Sequence, residues 1–174
     1  MRQFLIWCFG AAIAFAPAAG GQTAPKQVTI LALGASNTAG WGVPLPESYP
    51  ARLEALLKAQ GIDATVHNFG IPGDTTRGMS ARLQAGLPAG TRVVILQPGT
   101  NDATLGQRGE RAFHIADMRA WLAARNIAVI MLDNEVLDSL PRRELRADGI
   151  HFTAAGYALL AERILPEVLK ALGH

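Results

Sequence analysis

Short apolar runs alternate with helical patterns along most of the chain, and this alternation limits the fold more than any other feature. Residues 28–33 and Thr91–Gln97 are dense in Val, Ile and Leu. Runs of that length and density are strands buried on both faces, as in a parallel sheet. A weaker run covers residues 64–68, and a fourth covers 127–132. Between them the apolar spacing turns helical. Leu53, Leu56 and Leu57 share one face of a helix over 49–60, stopped by Gly61. A short helix is expected over 77–85, and a longer one over 110–125. Thr153 is placed to cap a last helix that runs to Leu172, with Pro166 as a point of bending. Strand and helix in alternation predict an α/β domain with a parallel sheet and right-handed crossovers.

The amino-terminal residues belong to a different kind of segment. Arg2 is followed by an uncharged apolar stretch, residues 4–16, and by Ala16-Pro17-Ala18. This is the pattern of a secretory signal peptide cleaved after Ala18. The stretch is shorter than the roughly 20 residues of a membrane-spanning helix, so no stable span is expected in the mature protein. Residues 1–25 are therefore assigned to a signal peptide and linker, and 26–174 to one domain. The mature protein is expected to be periplasmic or secreted. Its length of about 150 residues suits one domain with one sizeable core. Cys8 is the only cysteine and lies in the leader, so the mature chain has no disulfide, thiolate nucleophile or cysteine metal site. The net charge of +2 is small, and Arg142, Arg143 and Arg146 form its one local basic cluster. A solvated turn accounts for that cluster, and a nucleic-acid partner is not expected.

In a parallel sheet the loops after the strands meet at one edge, where open α/β folds bind ligands. Three of those loops and the segment before the last helix carry chemistry. Ser36 follows the first strand in a loop expected over 36–48. Gly70 to Gly73 follow the second strand. Gly99 and Asn101 follow the third, and Asp148-Gly149-Ile150-His151 precedes the last helix. A serine hydroxyl is a weak nucleophile and needs a base within hydrogen-bond reach, a part His151 can fill. Asp148, three residues earlier in a turn, can hold the second ring nitrogen and fix the tautomer. The backbone N–H groups of Ser36 and Gly73 and the side-chain amide of Asn101 are candidate donors to a developing oxyanion.

Rival sites lack their signatures. No lysine completes a phosphate loop after the first strand, and no dinucleotide fingerprint is present. Thr38 stands where the second glycine of a Gly-x-Ser-x-Gly elbow would be. There is no H-E-x-x-H or paired-histidine site. His67, His114 and His174 read as structural or terminal residues. Trp41 and Phe152 are candidates to line the pocket, and Asp133, Asn134 and Glu135 to touch substrate.

Gly34-Ala35-Ser36, residues 68–75, Gly99-Thr100-Asn101-Asp102 and Asp148 to His151 together resemble the four sequence blocks of the SGNH or GDSL hydrolases. The resemblance implies a three-layer, flavodoxin-like fold and hydrolysis of esters or thioesters through an acyl-enzyme. It also implies Ser36 as nucleophile, His151 as base and Asp148 as its orienter. Ser36, Gly73 and Asn101 would form the oxyanion hole, with no metal or organic cofactor. The implied partner is a small-molecule, lipid or glycan ester. A carbohydrate O-deacetylase and a non-catalytic relative of the same fold are the alternatives.

Two departures from that pattern stand out. Ala35 replaces the aspartate usual in the serine block, with Asp102 or Asp74 as candidates to brace the loop instead. Residues 133–147 are too few for a further helix and strand. They are expected to be polar and irregular, with room for one helical turn. A sheet of four strands is therefore expected, or five if a short strand lies near 136–140, with the acyl side of the pocket left open.

Overall fold

The computed structural model describes residues 27–174. The signal-peptide assignment and Cys8 lie outside them. Within them the order is β1 (Val28–Gly34), α1 (Ser36–Ala39), α2 (Tyr49–Ala59), β2 (Ala64–Gly70), α3 (Thr76–Gly86), β3 (Thr91–Gln97), α4 (Asn101–Thr104), α5 (Arg111–Ala123), β4 (Ala128–Met131), α6 (Asn134–Asp138) and α7 (Ala154–Leu172). The four strands pair in parallel in the order β2-β1-β3-β4. This is the flavodoxin-like order without its last strand, and the chain reverses direction across the sheet between β1 and β3.

Alternation along β1 divides the core into two layers. Ile30 and Ala32 pack with Leu53 and Leu57 of α2 and with Leu160, Ile164 and Val168 of α7. Leu31 and Leu33 point the other way, to Met79 and Leu83 of α3 and Met118 and Leu122 of α5. The sheet thus lies between two helical layers. Truncating a fully buried leucine such as Leu31 to alanine would cost about 2–5 kcal/mol. Among the described residues, no helix is long and apolar enough to cross a membrane.

Several local expectations change. Ser36 opens a helical turn instead of lying in a loop, and a 3₁₀ turn at Leu45–Glu47 interrupts the segment up to α2. Residues 136–140 form no strand, because α6 occupies Asn134–Asp138. Asp133 caps that helix by accepting from the Val136 N–H at 3.3 Å. β2 continues to Gly70, in register with Gly34 of β1. A Cβ on Gly70 would overlap the backbone of Ala39, so this close crossing of β2 and α1 admits only glycine. Helix α7 runs through Pro166 as one element. Thr153 Oγ1 accepts from Gly156 N at its start, and Gly173 ends it with φ +88°.

Candidate active site

Ser36 stands one residue beyond Ala35 at the carboxyl end of β1, as the first residue of α1. Gly34 makes the approach possible, since a Cβ there would collide with the side chains of Thr38 and Gln97. The Ser36 Oγ lies 2.9 Å from His151 Nε2. On the far side of the ring, His151 Nδ1 is 2.8 Å from Asp148 Oδ2. The other carboxylate oxygen, Oδ1, accepts from the backbone N–H groups of Ile150 and His151, each at 2.9 Å.

These bonds settle the charge and the tautomer. The backbone N–H of His151, the His151 ring and the Ile150 N–H hold the Asp148 carboxyl well below the usual carboxylate range. An ionised carboxylate only accepts, so Nδ1 of a neutral ring must carry its proton. Nε2 then presents a lone pair to the serine hydroxyl. The imidazole is mostly buried, while Asp148 is partly exposed.

Asn101 begins α4, at the end of β3 and next to β1 in the sheet. One of its amide protons goes to the Asp74 carbonyl at 2.8 Å, which fixes the amide and leaves the second N–H. Gly73 belongs to the turn at residues 71–74, closed by Asp74 N donating to Ile71 O at 3.1 Å, and has φ +81°. The carbonyl that holds Asn101 is thus one residue beyond Gly73.

A cleft of ≈ 550 Å³ opens beside Ser36 and Asn101. Ser36, Gln97 and Asn101 line one side, and Asn134, Leu137, Leu140 and Arg142 the other. Phe152 and Ile150 also line it. Helix α6 and the turn after it thus supply part of the cleft wall. Of Asp133, Asn134 and Glu135, Asn134 alone lines the cleft. Trp41 is half-exposed, and its ring centroid is 5.8 Å from that of His151. His114 Nε2 lies 3.5 Å from Glu110 on its own helix. Among the described residues, no group of three or more His, Cys, Asp or Glu is arranged to hold a metal ion.

The brace for Ala35 is neither acid named from the sequence. Asp74 is spent on Arg82, at 2.5 Å, and on the Thr75 N–H. Buried Asp102 accepts from the backbone and hydroxyl of Thr76. Gln97 does the bracing: its Oε1 accepts from Ala35 N at 3.3 Å and from Thr38 Oγ1 at 3.1 Å. A second residue that sequence reasoning missed is Asn37, whose side chain bonds to Ile150 O and to the Tyr157 hydroxyl. The available signal for Gln97 was a polar residue ending an otherwise apolar strand.

Comparison with known proteins gives a consistent picture. The family model described as the GDSL-like lipase/acylhydrolase family matches residues 32–130. An arylesterase of Vibrio mimicus is 40% identical over 78 residues, which are 44% of this chain and 39% of that protein. The chain thus spans well under half the length of that curated relative. TesA superposes with a TM-score of 0.73 at 24% identity, covering 82% of this chain and 99% of the other, a likeness of fold. AlinE4, described as an SGNH-hydrolase family esterase, superposes with a TM-score of 0.61 at 26% identity, over 84% and 97% of the two chains.

Proposed function

The chain belongs to the GDSL-like lipase/acylhydrolase family, and from that premise we propose that it is an exported serine esterase acting on acyl esters or thioesters. The observation that carries this reading is the unbroken Ser36–His151–Asp148 chain of hydrogen bonds.

The reaction follows from the bonds. Ser36 Oγ attacks the acyl carbonyl carbon while its proton passes to His151 Nε2. The carbonyl oxygen becomes an oxyanion, met by the N–H groups of Ser36 and Gly73 and the second amide proton of Asn101. Asp148 stabilises the imidazolium that forms and keeps the ring in place. As the tetrahedral intermediate collapses, His151 returns the proton to the leaving alcohol or thiol, and the acyl group stays on Ser36. Water then gives its proton to His151 and attacks the acyl-enzyme, releasing the acid and restoring the serine. Each proton lost to the imidazole is returned within the same half-reaction.

A fluorophosphonate probe tests this reading. Ser36 of the mature, folded protein should be labelled, and Ser36→Ala should lose both labelling and hydrolysis of p-nitrophenyl acetate. A folded parent that is not labelled overturns it. Carbohydrate O-deacetylation is the second reading. It is favoured by the polar side chains of Asn134 and Arg142 in the cleft and by the exposed Trp41 ring beside His151. A chain-length series of p-nitrophenyl esters run beside acetylated xylan separates the two. Export rests on the leader pattern ending at Ala18, and a periplasmic or secreted product beginning at Ala19 is its check.

A further inference from the structure

The loop that carries Asp148 and His151 is exposed from Arg146 to Ile150, yet His151 must meet a serine on another element. Inside the loop, Asp148 orients the ring locally and Arg146 N donates to His151 O at 2.7 Å. Neither bond says where the loop sits relative to Ser36. Two hydrogen bonds besides the Ser36–His151 contact reach from this loop towards the serine side. Arg146 Nη1 donates to Gly42 O at 2.9 Å from an exposed side chain. Asn37 Nδ2 donates to Ile150 O at 3.2 Å from a buried one, 7% exposed. Asn37 adjoins the serine in sequence, and Ile150 adjoins the histidine.

The orientation of the Asn37 amide is chemically determined. A carbonyl only accepts, so the nitrogen faces Ile150 and the oxygen faces Tyr157. The Tyr157 hydroxyl is 3.1 Å from Asn37 Oδ1 and 3.3 Å from Trp41 O. Burial pushes its pKa up to about 12, so the hydroxyl keeps its proton and remains a donor. Tyr157 is fully buried in the first turn of α7. A rigid group in the core thus sets the amide, and the amide sets the backbone next to His151.

We infer that Asn37 is a positioning residue that holds the His151 imidazole in register with the Ser36 hydroxyl, and that Tyr157 orients it. The inference rests on the esterase reading above. Displacing a catalytic group by about 1 Å can cost on the order of 10²-fold in rate. Asn37 touches no reacting atom, and its effect runs through the loop.

The test compares the mature parent with Asn37→Leu, Tyr157→Phe and the double variant. In Asn37→Leu, kcat for p-nitrophenyl acetate should fall about 10- to 100-fold with KM changed less than about twofold. The rate constant for phosphonylation of Ser36, per titrated site, should fall in parallel. The downfield NMR signal of the His151 Nδ1 proton should persist, because its bond to Asp148 lies within the loop. Tyr157→Phe, which removes one hydroxyl, should show a smaller loss of the same kind, and it serves alone if Asn37→Leu does not fold. The double variant should be no slower than Asn37→Leu, because the two residues act in series. A variant with a lowered melting temperature but parental kcat and phosphonylation rate overturns the inference, since that is a purely structural role. So do additive losses in the double variant. A parent not labelled at Ser36 overturns the esterase reading and this inference with it, whereas a labelled parent with unaffected variants overturns this inference alone.

Discussion

Ser36 Oγ and His151 Nε2 are 2.9 Å apart although 115 positions separate the two residues. The topology brings them together. β1 lies inside the sheet and delivers Ser36 to its carboxyl edge, and α7 starts from the same edge, just after His151. Either group alone has little reactivity, since the hydroxyl needs the base and the base needs a proton to take. Ser36→Ala and His151→Ala should each lower kcat by several orders of magnitude, to about 10⁶ at the extreme. Combining them should cost little more than either alone. Steady-state turnover of p-nitrophenyl acetate by the two single variants and the double variant checks this.

Asp148 should add no ionisation to the acid side of the pH profile. Its carboxyl is held well below the usual range, first by the backbone N–H of His151 and then by the imidazole and Ile150 N–H. It should therefore stay ionised as pH falls through the ordinary carboxylate range. The stability it contributes is present in full above the unfolded-state pKa and is lost only as pH falls towards the lower folded value. The acid limb of kcat/KM should accordingly gain no ionisation from Asp148 in the ordinary carboxylate range. A slope of two on that limb would contradict the assignment. Asp148→Asn should lower kcat on the order of 10²–10⁴-fold at neutral pH by disturbing the ring tautomer. Its melting temperature should approach the parent's in strong acid, where the parent carboxylate also becomes neutral.

On the proposed mechanism the second amide proton of Asn101 meets the oxyanion. Asn101→Ala should lower kcat by about 10²–10³-fold, with little change in KM, because that bond strengthens as charge develops. The same substitution frees the Asp74 carbonyl, so a modest fall in melting temperature is also expected. A rise in KM with kcat preserved would mean that Asn101 binds the ground state instead.

What the sequence made legible follows from how each feature is encoded. Buried strands such as Thr91–Gln97 show in a short window, because the part of a parallel strand covered on both faces, here Val93 to Leu96, must be apolar. The Asp148–His151 pair is visible for the same reason, its partners being three residues apart. Asn37 and Gln97 are different. Their partners Ile150 and Ala35 lie 113 and 62 positions away, and nothing local names the partner of a polar residue whose bond forms only after the sheet has assembled. Helix α6 is an intermediate case. Asp133 is a good cap, but five helical residues are too few to show a periodic face.

Gln97 ties the turn that carries Ser36 to the end of β3. Its side chain is 2% exposed and takes both the Ala35 N–H and the Thr38 hydroxyl. Gln97→Leu has similar size but no acceptor, so the buried Ala35 N–H loses its partner at about 1–3 kcal/mol. Thr38 has a fallback in the Tyr49 hydroxyl, 3.4 Å away. Chemical denaturation should show that loss. If Gln97 supports the serine turn, kcat should fall together with stability. Loss of stability with kcat unchanged would make Gln97 a core residue without influence on Ser36.

Two glycines three residues apart should respond in opposite ways to the same substitution. At Gly70 an added Cβ would run into the backbone of Ala39, which cannot move without shifting α1 and Ser36 with it. Gly70→Ala should therefore fold poorly or not at all. At Gly73 an added Cβ meets nothing within 4 Å, and the cost is the φ of +81°, about 1–2 kcal/mol for a residue with a Cβ. Gly73→Ala should fold, with a small drop in melting temperature. On the proposed mechanism its N–H meets the oxyanion, so its kcat/KM should fall by much more than that drop explains. The loss should grow with the bulk of the acyl group across a p-nitrophenyl ester series. If Gly73→Ala keeps parental activity towards every ester, the turn at residues 71–74 is not part of the oxyanion site. Asn101 and Ser36 would then bear that charge without it.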